Sequence, residues 1–150
     1  MMKIALGSDH AGFSLKETIA GHLEETGRPY KDFGVFSEDS ADYPDNAALV
    51  ARAVQSEDYD YGIIICGTGI GVSIAANKHR GIRAALCSEA YSALCSREHN
   101  NANILAMGSR VIGPGLALHI VETFLTTPFS GGRHSRRLEK IALIEKEPRR

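Results

Sequence analysis

Cys66 opens the stretch CGTGIG (66–71), directly behind the apolar run YGIIIC (61–66), and Gly67, Gly69 and Gly71 follow it. Glycines after a strand let the backbone turn tightly and present N–H groups to a ligand. The positive end of a following helix then favours an anion. A thiol at that place has its thiolate stabilised and can act as nucleophile or general base. The plainer reading of Cys66 is a small hydrophobe closing a buried strand. The order G-x-G-x-G is not the G-x-G-x-x-G of a dinucleotide fingerprint, and Lys78 lies too far along for a P-loop lysine.

Three further stretches carry groups of the same interest. SDHAG (8–12) pairs Asp9 with His10, and both can face one pocket; Asp9 can equally cap a helix starting near Ala11. REHNNAN (97–103) sets His99 and Asn100 at the end of a helical stretch. His99 suits acid/base work near neutral pH, or it satisfies the carbonyls and dipole of a helix C-terminus. Asn100 or Asn101 is then the left-handed capping residue. Cys95 and His99 stand four apart as a metal pair would, but no second cluster completes four ligands, so no metal site is expected. GGRHSRR (131–137) concentrates Arg133, His134 and Arg137. Arg133 and Arg137 share a face if the helix starts early, and two forked guanidiniums suit a phosphate monoester. A solvated basic turn is the rival, but cations at a helix N-terminus oppose the dipole. Arg110 is a third candidate phosphate ligand.

The elements that must position these groups alternate. KIAL (3–6), YKDF (30–33), YGIIIC (61–66), IRAALC (82–87) and ILAM (104–107) read as strands, the third as a continuous apolar run typical of a buried parallel strand. Helices are predicted over 13–26, from Pro44 to about Gln55, and over 70–78, 89–98 and 114–126. The last, amphipathic one runs from about Ser135 to Lys146. Strand and helix alternating five times predicts an α/β fold, a Rossmann-like three-layer sandwich with a five-stranded parallel sheet. In such sheets ligands bind beyond the carboxyl ends of the strands, which is where the turns holding Asp9, His10, Tyr43, Cys66, Thr68 and Arg110 fall.

A chain of 150 residues is read as one domain, 1–150. A net charge of −1 gives no electrostatic case for a nucleic-acid or membrane partner. The first residues have too short an apolar run for a signal peptide, and no stretch nears the length of a membrane span. Three cysteines without disulfide spacing read as free thiols in a reducing cytoplasm.

IALGSDHAG, DYPD, ICGTGIGVSIAANK, GIRAALC, REHNNAN, GSRVIGPGLA and GGRHSRR, in that order from about Lys3 to Ile144, together resemble the B-type ribose-5-phosphate isomerases. That family is shared with allose-6-phosphate and galactose-6-phosphate isomerases. The resemblance implies a cofactor-free, metal-free aldose–ketose isomerase acting through a cis-enediolate. It makes Cys66 the base that moves the C2 proton; a second branch uses a downstream glutamate, and Val72 and its neighbours offer none. It implies that the N–H groups of Gly67, Thr68, Gly69, Ile70 and Gly71 hold the enediolate oxygens, and that Thr68 supports the cysteine. His99 with Asp9 matches the ring-opening groups, Asn100 an enediolate or hydroxyl contact, and Tyr43 a sugar-facing position. His10, Arg110, Arg133 and Arg137 match the phosphate set, with His134 joining them. It further implies a homodimer, or a tetramer of such dimers, whose active sites are shared so that residues 99–137 of one chain serve residues 9–72 of its partner, with the C-terminal helix (about 135–146) packing on a partner subunit. Ribose 5-phosphate is the expected substrate. Allose 6-phosphate or another hexose 6-phosphate is the alternative within the family, and a non-catalytic sugar-phosphate or nucleotide-binding domain the alternative of another class.

Overall fold

The computed structural model describes residues 1–147, so the last three residues of the predicted domain lie outside it. Five strands run parallel in the order β2-β1-β3-β5-β4: β1 (Ile4–Ser8), β2 (Tyr30–Asp32), β3 (Tyr61–Cys66), β4 (Ala84–Leu86) and β5 (Ile104–Gly108). The helices between them are α1 (Phe13–Glu25), α2 (Tyr43–Gln55), α3 (Ile70–Ala76), α4 (Ala90–Glu98) and α5 (Pro114–Thr126), and α6 (Arg133–Ile144) follows. The expected Rossmann-like three-layer α/β sandwich is the one observed.

Two apolar clusters explain why the sheet is covered on both sides. Ile63 and Ile65 of β3 point to Leu15, Ile19 and Leu23 of α1 and to Ile120 and Phe124 of α5. Ile64 and Cys66 point the other way, to Val50 and Val54 of α2 and Val72 of α3. A strand buried on both faces needs no polar alternation, which is why β3 reads as an unbroken apolar run. Each fully buried isoleucine contributes about 1.5–3 kcal/mol.

Several boundaries differ from the sequence expectation. The predicted strand 82–87 pairs with β5 only over Ala84–Leu86. Arg83 N–H is taken instead by the Asn103 side chain (2.8 Å). The helix predicted over 70–78 ends at Ala76. The last helix starts at Arg133, two residues before the expected Ser135, because Gly131 and Gly132 both take positive φ and turn the chain into it. Arg133 and Arg137 therefore lie one helical turn apart on one face, the arrangement that an early start required.

Candidate active site

Three strand ends meet at the centre of the sheet. Cys66 is opposite Gly108 in the β3–β5 pairing, and Ser8 is opposite Ile65 in the β1–β3 pairing. The turns beyond them are tied together by backbone. Asp9 N–H donates to Ile65 O (3.1 Å), Ser109 N–H to Cys66 O (2.9 Å), and Arg110 N–H to Gly67 O (3.0 Å). Ser109 Oγ also donates to Ala11 O (2.7 Å), which joins the first turn to the last.

Within this frame Cys66 Sγ accepts the Gly69 N–H at 3.1 Å. The thiol is 5% exposed, and it sits inside the turn rather than on the surface. Gly69 makes that turn possible: its φ is +78°, and a Cβ there would stand 2.7 Å from the Met107 carbonyl carbon. Gly69→Ala combines a left-handed alanine with that overlap, and the expected cost is about 2–3 kcal/mol of stability, read from the urea midpoint. Gly71 lies under the Tyr43 ring, where a Cβ would be 2.7 Å from Cε2. Tyr43 thus stands over the start of α3, at the same end as Cys66. Thr68 Oγ1 accepts the Ile70 N–H (3.2 Å), so its hydroxyl shapes the helix entry.

Asp9 is buried, and its Oδ1 accepts the Gly12 N–H at 3.0 Å, just ahead of α1. The capping reading therefore describes part of what Asp9 does. His10 Nδ1 lies 3.1 Å from the Ala41 N–H, which donates to it. That contact fixes the ring to the loop before α2. Cys87, by contrast, is core: it is 2% exposed, and burial pushes its thiol up to about 11.

Lysine 16 was not legible as part of this region, because a lysine on a helix reads as surface. Its side chain is fully buried, and Nζ pairs with Asp32 and with Glu17 (3.0 Å). Asp32 Oδ1 accepts the Gly34 N–H (2.8 Å), and Gly34 O accepts the Ser8 N–H (2.8 Å). The buried ion pair thus braces the end of β1, from which Asp9 and His10 project.

His99, Asn100, Arg133, His134 and Arg137 form a second group. His99 closes α4 as its C-cap residue. Asn101, not Asn100, takes the left-handed conformation, with φ of +44°. Asn100 is consequently free of the capping role and exposed. Arg97 is buried and holds this turn, donating to Ala102 O (2.6 Å), Asn101 Oδ1 (2.9 Å) and Tyr61 Oη (2.7 Å). Ser130 N–H donates to Glu98 O (3.1 Å), bringing the start of α6 to the end of α4. The His99 and His134 rings stack there, centroids 4.4 Å apart and 13° from parallel.

The two groups do not meet. α4 runs back along the sheet, so His99 lies at the end where β5 and β3 begin, whereas Cys66 ends β3. The six residues of β3 put roughly 16 Å between those ends. Among the described residues, no group of three or more His, Cys, Asp or Glu side chains is placed to hold a metal ion. No helix of the described residues is long and apolar enough to cross a membrane.

The model of the ribose/galactose isomerase family matches residues 4–141. The chain belongs to that family. Within it, ribose-5-phosphate isomerase B of Escherichia coli (strain K12) is 54% identical over 145 residues, 97% of each chain. The solved ribose-5-phosphate isomerase B of Clostridium thermocellum is 56% identical, with a TM-score of 0.96 over 97% of this chain and 98% of that one. The Mycoplasma genitalium ribose-5-phosphate isomerase B, solved with bound ribulose-5-phosphate, has a TM-score of 0.93 at 44% identity over 98% of both chains. As a ribose/galactose isomerase family member, the chain is an aldose–ketose isomerase.

Proposed function

We propose that the chain interconverts D-ribose 5-phosphate and D-ribulose 5-phosphate at a site that two copies complete. The observation that carries this is the thiol of Cys66 held by the Gly69 N–H inside the glycine turn at the end of β3. A proton mover and fixed donors for a developing oxyanion stand together there. The relative with ribulose-5-phosphate bound supports the substrate.

The chemistry divides between the two groups of residues. The furanose opens when a proton leaves the C1 hydroxyl, the C1–O4 bond breaks and O4 gains a proton; His99 with Asp9 carries these transfers. Cys66 as thiolate then takes the C2 proton. The electron pair moves into the C1–C2 bond, and N–H groups of the 67–71 turn stabilise the enediolate, those of Gly69 and Ile70 being held by Cys66 Sγ and Thr68 Oγ1. The proton returns from the Cys66 thiol to C1, the O2 proton moves to O1, and the C2 carbonyl of the ketose forms. Tyr43 faces the sugar, Asn100 contacts its hydroxyls, and Arg110 and His10 join Arg133 and Arg137 on the phosphate.

A second copy is required because Cys66 and His99 lie at opposite ends of one sheet. Two-fold pairing brings one end of each chain to the other end of its partner. The surface of α6 favours this. Among the described residues it buries only His134, while Leu143 and Ile144 are 61% and 65% exposed. We place the protein in the cytoplasm, in keeping with its three free thiols.

Arg137→Ala should raise KM for ribose 5-phosphate about 10- to 100-fold with a smaller change in kcat, since a charged hydrogen bond to phosphate is lost. An unchanged KM would remove Arg137 from the phosphate clamp. The test of the substrate is kcat/KM for ribose 5-phosphate against allose 6-phosphate, side by side. A preference for the pentose supports the proposal. A preference for the hexose keeps the mechanism and changes the substrate, and a one-carbon difference is worth about 1–3 kcal/mol.

A further inference from the structure

We infer that His134 is a positioning residue for His99, acting through the face of its ring rather than as a phosphate ligand. This rests on the reading of His99 as a ring-opening group. His134 is the single buried side chain of α6 among the described residues, whereas its neighbours Arg133 and Arg137 are exposed. Against it lies the imidazole of His99, nearly parallel and 4.4 Å away. Among the described residues, the one charged partner near the His99 ring is Glu98, whose Oε2 is a distant 3.9 Å from Nε2. The ring is 41% exposed and follows the last turn of α4. An imidazole so placed samples several rotamers unless a neighbouring surface selects one. The His134 ring supplies that surface.

The stack also sets where the arginines go. The contact seats the first turn of α6 against the end of α4, together with the Ser130–Glu98 backbone bond. The backbone bond keeps α6 and its guanidiniums beside α4, and the pair of rings sets how the His99 imidazole lies against them. The electrostatic surroundings agree with a packing role. Burial, His99, Arg133 and Arg137 all push the His134 pKa down, with Glu98 alone opposing them. These influences disfavour a charged ring at this position.

D-Ribulose 5-phosphate separates positioning from general damage. Its C5 oxygen carries the phosphate, so it forms no furanose and needs no ring opening. Exchange of its C1 hydrogen with D2O requires Cys66 and the enediolate only. The experiment measures isomerisation of ribose 5-phosphate and this exchange in His134→Ala and His134→Phe, with His99→Asn and Cys66→Ala as references. His134→Ala should lose about tenfold or more of the isomerisation rate, as a displaced catalytic group does. Its exchange rate should stay within about twofold of wild type. His134→Phe, which keeps a flat ring but has no nitrogen, should recover most of the isomerisation with a near-normal KM. A His134→Phe variant as slow as His134→Ala, with KM raised as in Arg137→Ala, would make His134 a phosphate ligand and overturn the inference. Exchange falling in step with isomerisation would reduce it to a structural residue. Undiminished isomerisation in His99→Asn would instead remove the ring-opening reading beneath it.

Discussion

Cys66→Ala should lower kcat by about a thousandfold or more while sugar-phosphate affinity stays within about threefold. In the proposed mechanism the thiol takes the proton at C2, and the phosphate is held elsewhere, by Arg110 and His10 and by Arg133 and Arg137. The substitution is also structurally mild. Sγ accepts one N–H, from Gly69, and Val72 and Ala106 share its cluster. Losing one sulfur from that cluster costs on the order of 1 kcal/mol, too little to unfold the domain. Kinetics and direct binding of ribose 5-phosphate by calorimetry separate the two effects. Near-normal turnover would mean that another group moves the proton. Lost binding with a lost fold would mean that Cys66 is a core residue and no more.

His99→Asn is expected to give the second largest loss, about a hundredfold in kcat/KM for ribose 5-phosphate, because the bound furanose no longer opens. Ring opening in solution supplies some open-chain aldehyde, so the loss is smaller than for Cys66→Ala. Assays at several temperatures check this. With ring opening left to the solution, the residual rate should follow the uncatalysed opening of the sugar. A residual rate unrelated to it would assign His99 to a later step.

Much of the fold was readable because burial on two faces leaves a plain trace. β3 and β5 appear as short unbroken apolar runs, and the helices behind them carry periods of three and four. Edges were harder. β4 looks six residues long in the sequence yet pairs over Ala84–Leu86, since an edge strand has one neighbour to enforce its length. The start of α6 differs from the expected one by two residues, because two successive glycines with positive φ lead directly into the helix.

For the site, residue types and turns were legible from the residues, and a division between chains only through the family resemblance, which sets Arg110 with His99 whereas the structure holds it against Gly67. Cys66 and His99 are 33 positions apart by number, and nothing in that spacing says that α4 carries His99 to the opposite end of the sheet. That follows only from the sheet order and the direction of α4. Lys16 was hidden for a different reason. A buried lysine has no pattern of its own, and its partner Asp32 lies on another element. The stack of His99 on His134 likewise joins residues that the sequence treats as belonging to different tasks.

The shared site can be tested with two variants that each keep about a hundredth of the activity or less. Cys66→Ala and His99→Asn chains are mixed, dissociated and reassociated, and isomerisation of ribose 5-phosphate is measured. In a two-fold dimer built from both chains, one site collects both substitutions and the other collects neither. Random pairing should therefore restore activity to about a quarter of the wild-type level. A mixture that stays as inactive as its components, with mixed dimers present by mass, would place both residues in a site within one chain and contradict the two-copy mechanism.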